Sequence, residues 1–384
     1  MAAAVALVFG PWTDSPSELA GWDVERFQTI ADQPGLDLEV EYPPGSVLLI
    51  EGISASAPPE GGGVTKTHKT LVVLSLAVDL GVAVFLERLA RPRSGLLYLW
   101  LGLPLVPAGL LRFDLWATGL GAVGLVMLAQ SHRPRGRSAI LFGLATALGF
   151  AVKLTPGLLL PVAVAAGRRT EAIAAVVGLG GVGLAWLAFG GFESIEAVTS
   201  LRGATGWHLE SVPGAITSLA TDRVPRLEAN AFRIGTIQPW LVTTGRIATL
   251  AAIVGYGLRL HMGESNLRRM SLMLLGSTAA LIVTAPLISP QFLLWLTPAA
   301  ALAQPQLWGE CSRFGRLLDP TWITGAAIAL TAAVLVVFTP SGVDHPVAAA
   351  LLLVRSGLLV LLIVACWLQL ATESIRPNES LAGG

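Results

Sequence analysis

Of the 384 residues, 53% are hydrophobic and only 13% are charged, against a globular norm of roughly a quarter charged. Acidic and basic side chains cancel at 25 each, so no bulk field points to nucleic acid or to an acidic partner. Two cysteines, Cys311 and Cys366, make neither a disulfide framework nor a metal centre, and the composition predicts an all-α polytopic membrane protein.

Residues 2–10 are apolar but too short to cross a bilayer, which takes roughly 17 to 25 residues. With no basic segment before them, they read as the remnant of a first span rather than a signal peptide. A long polar stretch, 11–69, follows. It contains Asp23-Val24-Glu25-Arg26-Phe27 and then Glu41-Tyr42-Pro43-Pro44-Gly45, an acidic, aromatic, proline-marked loop in an otherwise oily chain. Further apolar runs lie near 70–87, 95–111, 114–130, 139–152, 154–166, 171–189, 240–258, 270–288, 292–304, 322–338 and 347–371. They predict a bundle of about 11–12 transmembrane or half-membrane helices, several too short for a full crossing.

Arginine-rich loops orient the bundle. Arg88, Arg91 and Arg93 form one, and Arg133, Arg135 and Arg137 the next; others hold Arg168 with Arg169, Arg259 with Arg268 and Arg269, and Arg313 with Arg316. If each is cytoplasmic, the spans between them alternate without conflict. The two long polar stretches, 11–69 and 190–239, then lie on the outer face of the plasma (inner) membrane. The chain reads as one integral membrane domain over 1–384.

Three helical pairs then rise from the cytoplasmic side and turn on polar tips: Arg112-Phe113-Asp114, Lys153-Leu154-Thr155-Pro156 and Ser289-Pro290-Gln291. Proline breaks the second and third, because it removes a backbone donor and clashes with the preceding turn. Charges at membrane depth are costly unless paired or wet, so Arg112, Asp114 and Lys153 are functional candidates. The competing readings are that Arg112 and Asp114 neutralise each other, or that Lys153 carries its ammonium to the interface. Asp79, inside the 70–87 run, either acts in catalysis or bonds a neighbouring helix, and Arg355 in the last run is expected to snorkel or pair. In the second outer loop Trp207 suits either a sugar ring or an interfacial aromatic belt, and His208 and Glu210 are candidate ligands for substrate.

Taken in order, these motifs resemble the polyprenyl-phosphate-mannose-dependent membrane mannosyltransferases, glycosyltransferase family 87 of the GT-C superfamily. The matching residues are Asp23-Val24, Glu41-Tyr42-Pro43-Pro44-Gly45, Asp79, Arg112-Phe113-Asp114-Leu115, Gly143-Leu144-Ala145, Lys153-Leu154-Thr155-Pro156, Leu209-Glu210-Ser211 and Ser289-Pro290-Gln291-Phe292-Leu293-Leu294-Trp295. Where this chain has Gln291-Phe292, some members place a histidine.

The resemblance implies a GT-C-like helical bundle and an inverting transfer, with mannose carried on polyprenyl phosphate as donor and a lipid-linked or cell-envelope glycan as acceptor. Such a transfer needs a base for the acceptor hydroxyl. The resemblance puts Asp23 in that role, with Glu41 as its alternate. The leaving lipid phosphate needs fixed cations or amides, for which Arg112 and Lys153 are the candidates, supported by His208 and Gln291. Tyr42, Asp114, Trp207 and Glu210 are then candidate substrate contacts. No cofactor is required; a divalent cation between carboxylate and phosphate is compatible with the pattern, but no ligand cluster demands one. The expected partners are the lipid-phosphate donor, the acceptor and membrane lipids. The competing classes are a lipid-linked glycan flippase and an inactive glycolipid-binding homologue.

Overall fold

The structure, a computed structural model, describes residues 27, 30, 42–55, 63–110, 112–130, 136–200, 204–221, 223–228, 231–304, 318–341 and 346–373. The fold is helical, as the composition predicts. The first helices are α1 (Pro44–Ala55), α2 (Gly63–Leu89) and α3 (Ser94–Gly102), then a 3₁₀ turn (Leu103–Leu105) and α4 (Val106–Leu110). Pro104 and Pro107 break what the hydropathy shows as one run. Next come α5 (Asp114–Gln130), α6 (Gly136–Val152), a 3₁₀ turn (Thr155–Leu158), α7 (Leu159–Ala165) and the long α8 (Arg169–Thr199).

The second half contains α9 (Val212–Ala220), α10 (Pro239–His261), α11 (Leu267–Thr284), a 3₁₀ segment (Pro290–Leu296), α12 (Thr297–Leu302), α13 (Pro320–Ser341) and α14 (Pro346–Glu373). Three short strands, β1 (Trp207–His208), β2 (Arg226–Glu228) and β3 (Ala231–Ile234), form an antiparallel sheet in the order β1-β3-β2. Among the described residues five helices are long and apolar enough to cross a membrane: 69–89, 169–199, 239–261, 267–284 and 346–372. Their outward residues include Val84, Phe189, Leu250 and Val364, as lipid contact requires.

The main core runs from α2 and α3 through α5 and α11 to α14, with Leu86, Leu125, Phe142, Leu275 and Leu362 enclosed. Small residues allow the closest helix approaches. A Cβ on Gly143 would come within 2.8 Å of the Ala174 carbonyl, and one on Gly178 within 2.9 Å of the Ala147 Cβ, so α6 and α8 pack nearly backbone to backbone.

The structure departs from the hydropathy reading in two places. Inside the stretch read as the first outer loop, residues 44–55 are the helix α1, whose Val47 and Ile50 pack with Phe27, Tyr42, Leu71 and Phe113. Its three-turn length hid it among loop signals. In the second, α8 continues ten residues past the predicted end to Thr199, bending where Gly191 takes φ +62°. That left-handed conformation is available to glycine at little cost.

Candidate active site

The antiparallel pair α5 and α6 explains how two distant charges meet. Asp114 opens α5 and Lys153 follows the last residue of α6, so both occupy the same end of the pair. The Lys153 Nζ stands 3.8 Å from the Asp114 Oδ2. From the third hairpin, the Trp295 indole N–H donates to the Asp114 Oδ1 at 2.9 Å. All three hairpin tips are thereby linked through one enclosed carboxylate, Asp114, which is 0% exposed.

Around this carboxylate is a small, partly open cleft lined by Tyr42, Arg112, Phe113, Asp114, Lys153, Leu287, Ser289, Gln291 and Phe292. Tyr42 and Phe292 both lie near the lysine, their ring centres 5.6 Å and 5.7 Å from its Nζ. Such cation–π contacts steady an ammonium without neutralising it. Phe292 stacks on Trp295 at 4.4 Å. Gln291 is 2% exposed, and its Nε2 has no hydrogen-bond partner among the described residues. An enclosed amide N–H without a partner is costly, and a ligand oxygen in the cleft removes that cost.

The start of α1 carries Tyr42 to this site. The Ser46 hydroxyl donates to the Val152 carbonyl at 2.7 Å, and a Cβ on Gly45 would come within 2.8 Å of the Ala151 backbone. Glycine at 45 therefore lets the Pro-Pro-Gly turn press against the end of α6, beside Lys153.

The second outer loop supplies a neighbouring layer rather than the cleft lining. Trp207 is 5% exposed and lies in β1, paired to β3 and set against Gly235. His208 is 8% exposed; its Nδ1 accepts from the Glu210 backbone N–H at 3.2 Å, and its own N–H donates to the Pro286 carbonyl at 3.4 Å. The Glu210 carboxylate pairs with Arg355 of α14 at 3.1 Å. Burial pushes the Glu210 carboxyl above the usual range, while Arg355 and, more weakly, Arg112 hold it down. Arg355 is thus paired rather than snorkelling, with a partner 145 residues away.

Asp79 sits away from the cleft and accepts a hydrogen bond from the Tyr98 hydroxyl, joining α2 to α3. Asp23, Glu41 and Cys311 lie outside the described residues. Among the described residues no group of three His, Cys, Asp or Glu side chains is placed to hold a metal ion. In the sequence Trp295 is one residue of a longer motif, with no signal that its indole holds Asp114.

The family model for glycosyltransferase family 87 matches residues 41–290. No curated protein matches the chain. Among solved structures the chain is similar to two crystal structures of ArnT from Cupriavidus metallidurans, one in the apo state and one bound to undecaprenyl phosphate. Each is 12% identical, with 97% of this chain covered against 76% and 75% of that chain, and TM-scores of 0.46 and 0.45.

Proposed function

The chain belongs to glycosyltransferase family 87, and on that premise we propose that it moves a hexose, mannose by resemblance, from a polyprenyl-phosphate donor to a lipid-linked or envelope glycan. The reaction takes place on the outer face of the plasma membrane. The observation that carries this reading is the cleft itself. Two cationic side chains, Arg112 and Lys153, and Gln291, whose Nε2 has no partner among the described residues, line one space with the aromatic rings of Tyr42 and Phe292.

The chemistry follows from that inventory. As the acceptor oxygen attacks the anomeric carbon, the bond to the phosphate oxygen breaks and negative charge accumulates on the lipid phosphate. Arg112 and Lys153 neutralise that charge, and the Gln291 N–H donates to a phosphate or sugar oxygen. Fixed donors in a site shielded from water stabilise such charge more than water does. The aromatic faces of Tyr42 and Phe292 take the apolar face of the sugar. A carboxylate of the first outer loop takes the acceptor proton, Asp23 first and Glu41 as its alternate, and Glu41 directly precedes the cleft residue Tyr42.

The test is radiolabelled sugar transfer from a polyprenyl-phosphate donor, using purified protein and a membrane lipid extract. Labelled sugar should appear in a new lipid product. Asp23→Asn should abolish transfer while leaving expression and polyprenyl-phosphate binding unchanged. Full activity in that variant removes Asp23 from the mechanism, and lipid movement between leaflets without a new product replaces the transferase with a flippase.

A further inference from the structure

Arg355 lies in the tenth position of α14, a helix long and apolar enough to span the membrane, yet its side chain is 0% exposed. An enclosed guanidinium needs several acceptors, and its two terminal nitrogens find theirs on one residue. Its Nη1 donates to the Glu210 carboxylate at 3.1 Å and its Nη2 to the Glu210 backbone carbonyl. The fork geometry of arginine suits this double grip, which a lysine cannot reproduce.

The gripped residue belongs to a tightly built turn. The Ser211 N–H and hydroxyl both donate to the His208 carbonyl, at 2.9 Å and 2.6 Å. The Glu210 N–H donates to the His208 ring, and the His208 N–H reaches the Pro286 carbonyl. Pro286 directly precedes Leu287, and Leu287, Ser289 and Gln291 form one wall of the cleft. A continuous chain of polar contacts therefore runs from the last helix, through the second outer loop, to that wall. The α9 helix after the turn rests on α14 as well, with Ala215 against Leu352.

We propose that Arg355 is a positioning residue for the donor phosphate: by fixing the turn 208–210 it holds the 286–291 wall of the cleft in place. This rests on the transferase reading, since it names what the wall is positioned for.

Polyprenyl-phosphate binding to the purified protein tests it, read beside thermal stability and donor KM. Arg355→Met should weaken binding about tenfold, the scale of one lost charge-assisted hydrogen bond, and raise donor KM more than it lowers kcat. It should also lower the thermal midpoint, because Glu210 is left enclosed without its partner. The double variant Arg355→Met with Glu210→Gln should recover the thermal midpoint but not the affinity. Recovery of both makes Arg355 purely structural and overturns the proposal, as does unchanged affinity in both variants. If Arg355→Met does not accumulate, Arg355→Lys replaces it, with an intermediate loss of affinity expected and wild-type affinity overturning. Absence of binding by the wild-type protein overturns this proposal and the transferase reading together, whereas wild-type binding with unaffected variants overturns this one alone.

Discussion

Lys153 stands 3.8 Å from the Asp114 carboxylate with 20% of its side chain exposed, whereas Arg355 is fully enclosed and grips Glu210 at 3.1 Å and again at its backbone carbonyl. Both pairs join segments far apart in the chain, and both are costly to dehydrate. They differ in what else surrounds the cation. Lys153 lines a cleft beside two aromatic rings, and in the proposed reading a phosphate entering that space shares its ammonium with Asp114. Arg355 faces a folded turn, and exchange there means dismantling it. In the proposed reading one cation serves a ligand and the other holds a loop.

That contrast can be broken most directly at Lys153. Lys153→Ala should lower kcat/KM by about 100-fold, the scale seen when one donor to a developing charge is removed, with donor KM rising more than acceptor KM. Equal rises in the two constants would make the lysine structural and erase the distinction.

The two carboxylates sharpen it further, because they should act with opposite sign. Asp114→Asn keeps an oxygen for the Trp295 indole but removes a negative charge beside the phosphate position. Polyprenyl phosphate should then bind about fivefold tighter, on the order of 1 kcal/mol for charges in a partly solvated site. Glu210→Gln should weaken the same binding. Isothermal titration of both variants decides the matter, and a shift in the same direction for both would mean that the two pairs do the same job. The smallest effect is expected from Trp295→Phe, which keeps the stacked ring and loses one hydrogen bond to Asp114. About 1 kcal/mol is at stake. A stopped assay should find a several-fold fall in kcat/KM, and an unchanged value would show that Asp114 holds its place without the indole.

Much of this site was legible in the sequence because its charges are exceptional in their setting. Arg112, Asp114 and Lys153 stand out against apolar runs, and Pro156 and Pro290 mark where helices must break. Other parts carried no such mark. Trp295 is one aromatic in an apolar segment, and nothing local distinguishes an indole that holds a carboxylate from one that fills space. Glu210 and Arg355 are 145 residues apart, so their partnership exists only in the fold. The helix α1 begins within a Pro-Pro-Gly sequence that argues for a loop, and it is stabilised by packing on α6 rather than by propensity. The small sheet of the second outer loop has strands of two to four residues, too short for any alternation to register.

The segment Pro290–Leu296 winds as a 3₁₀ helix, which makes about one full rotation every three residues. Phe292 and Trp295 are three apart and so leave the same face of the segment, where their rings stack nearly parallel, at 18°. An α-helix would turn only about 300° over that interval and would swing the indole roughly 60° around the axis. The pitch of a single seven-residue segment therefore decides whether Trp295 addresses Asp114 at all, and a change of winding there would untie the third hairpin from the other two without moving either of them.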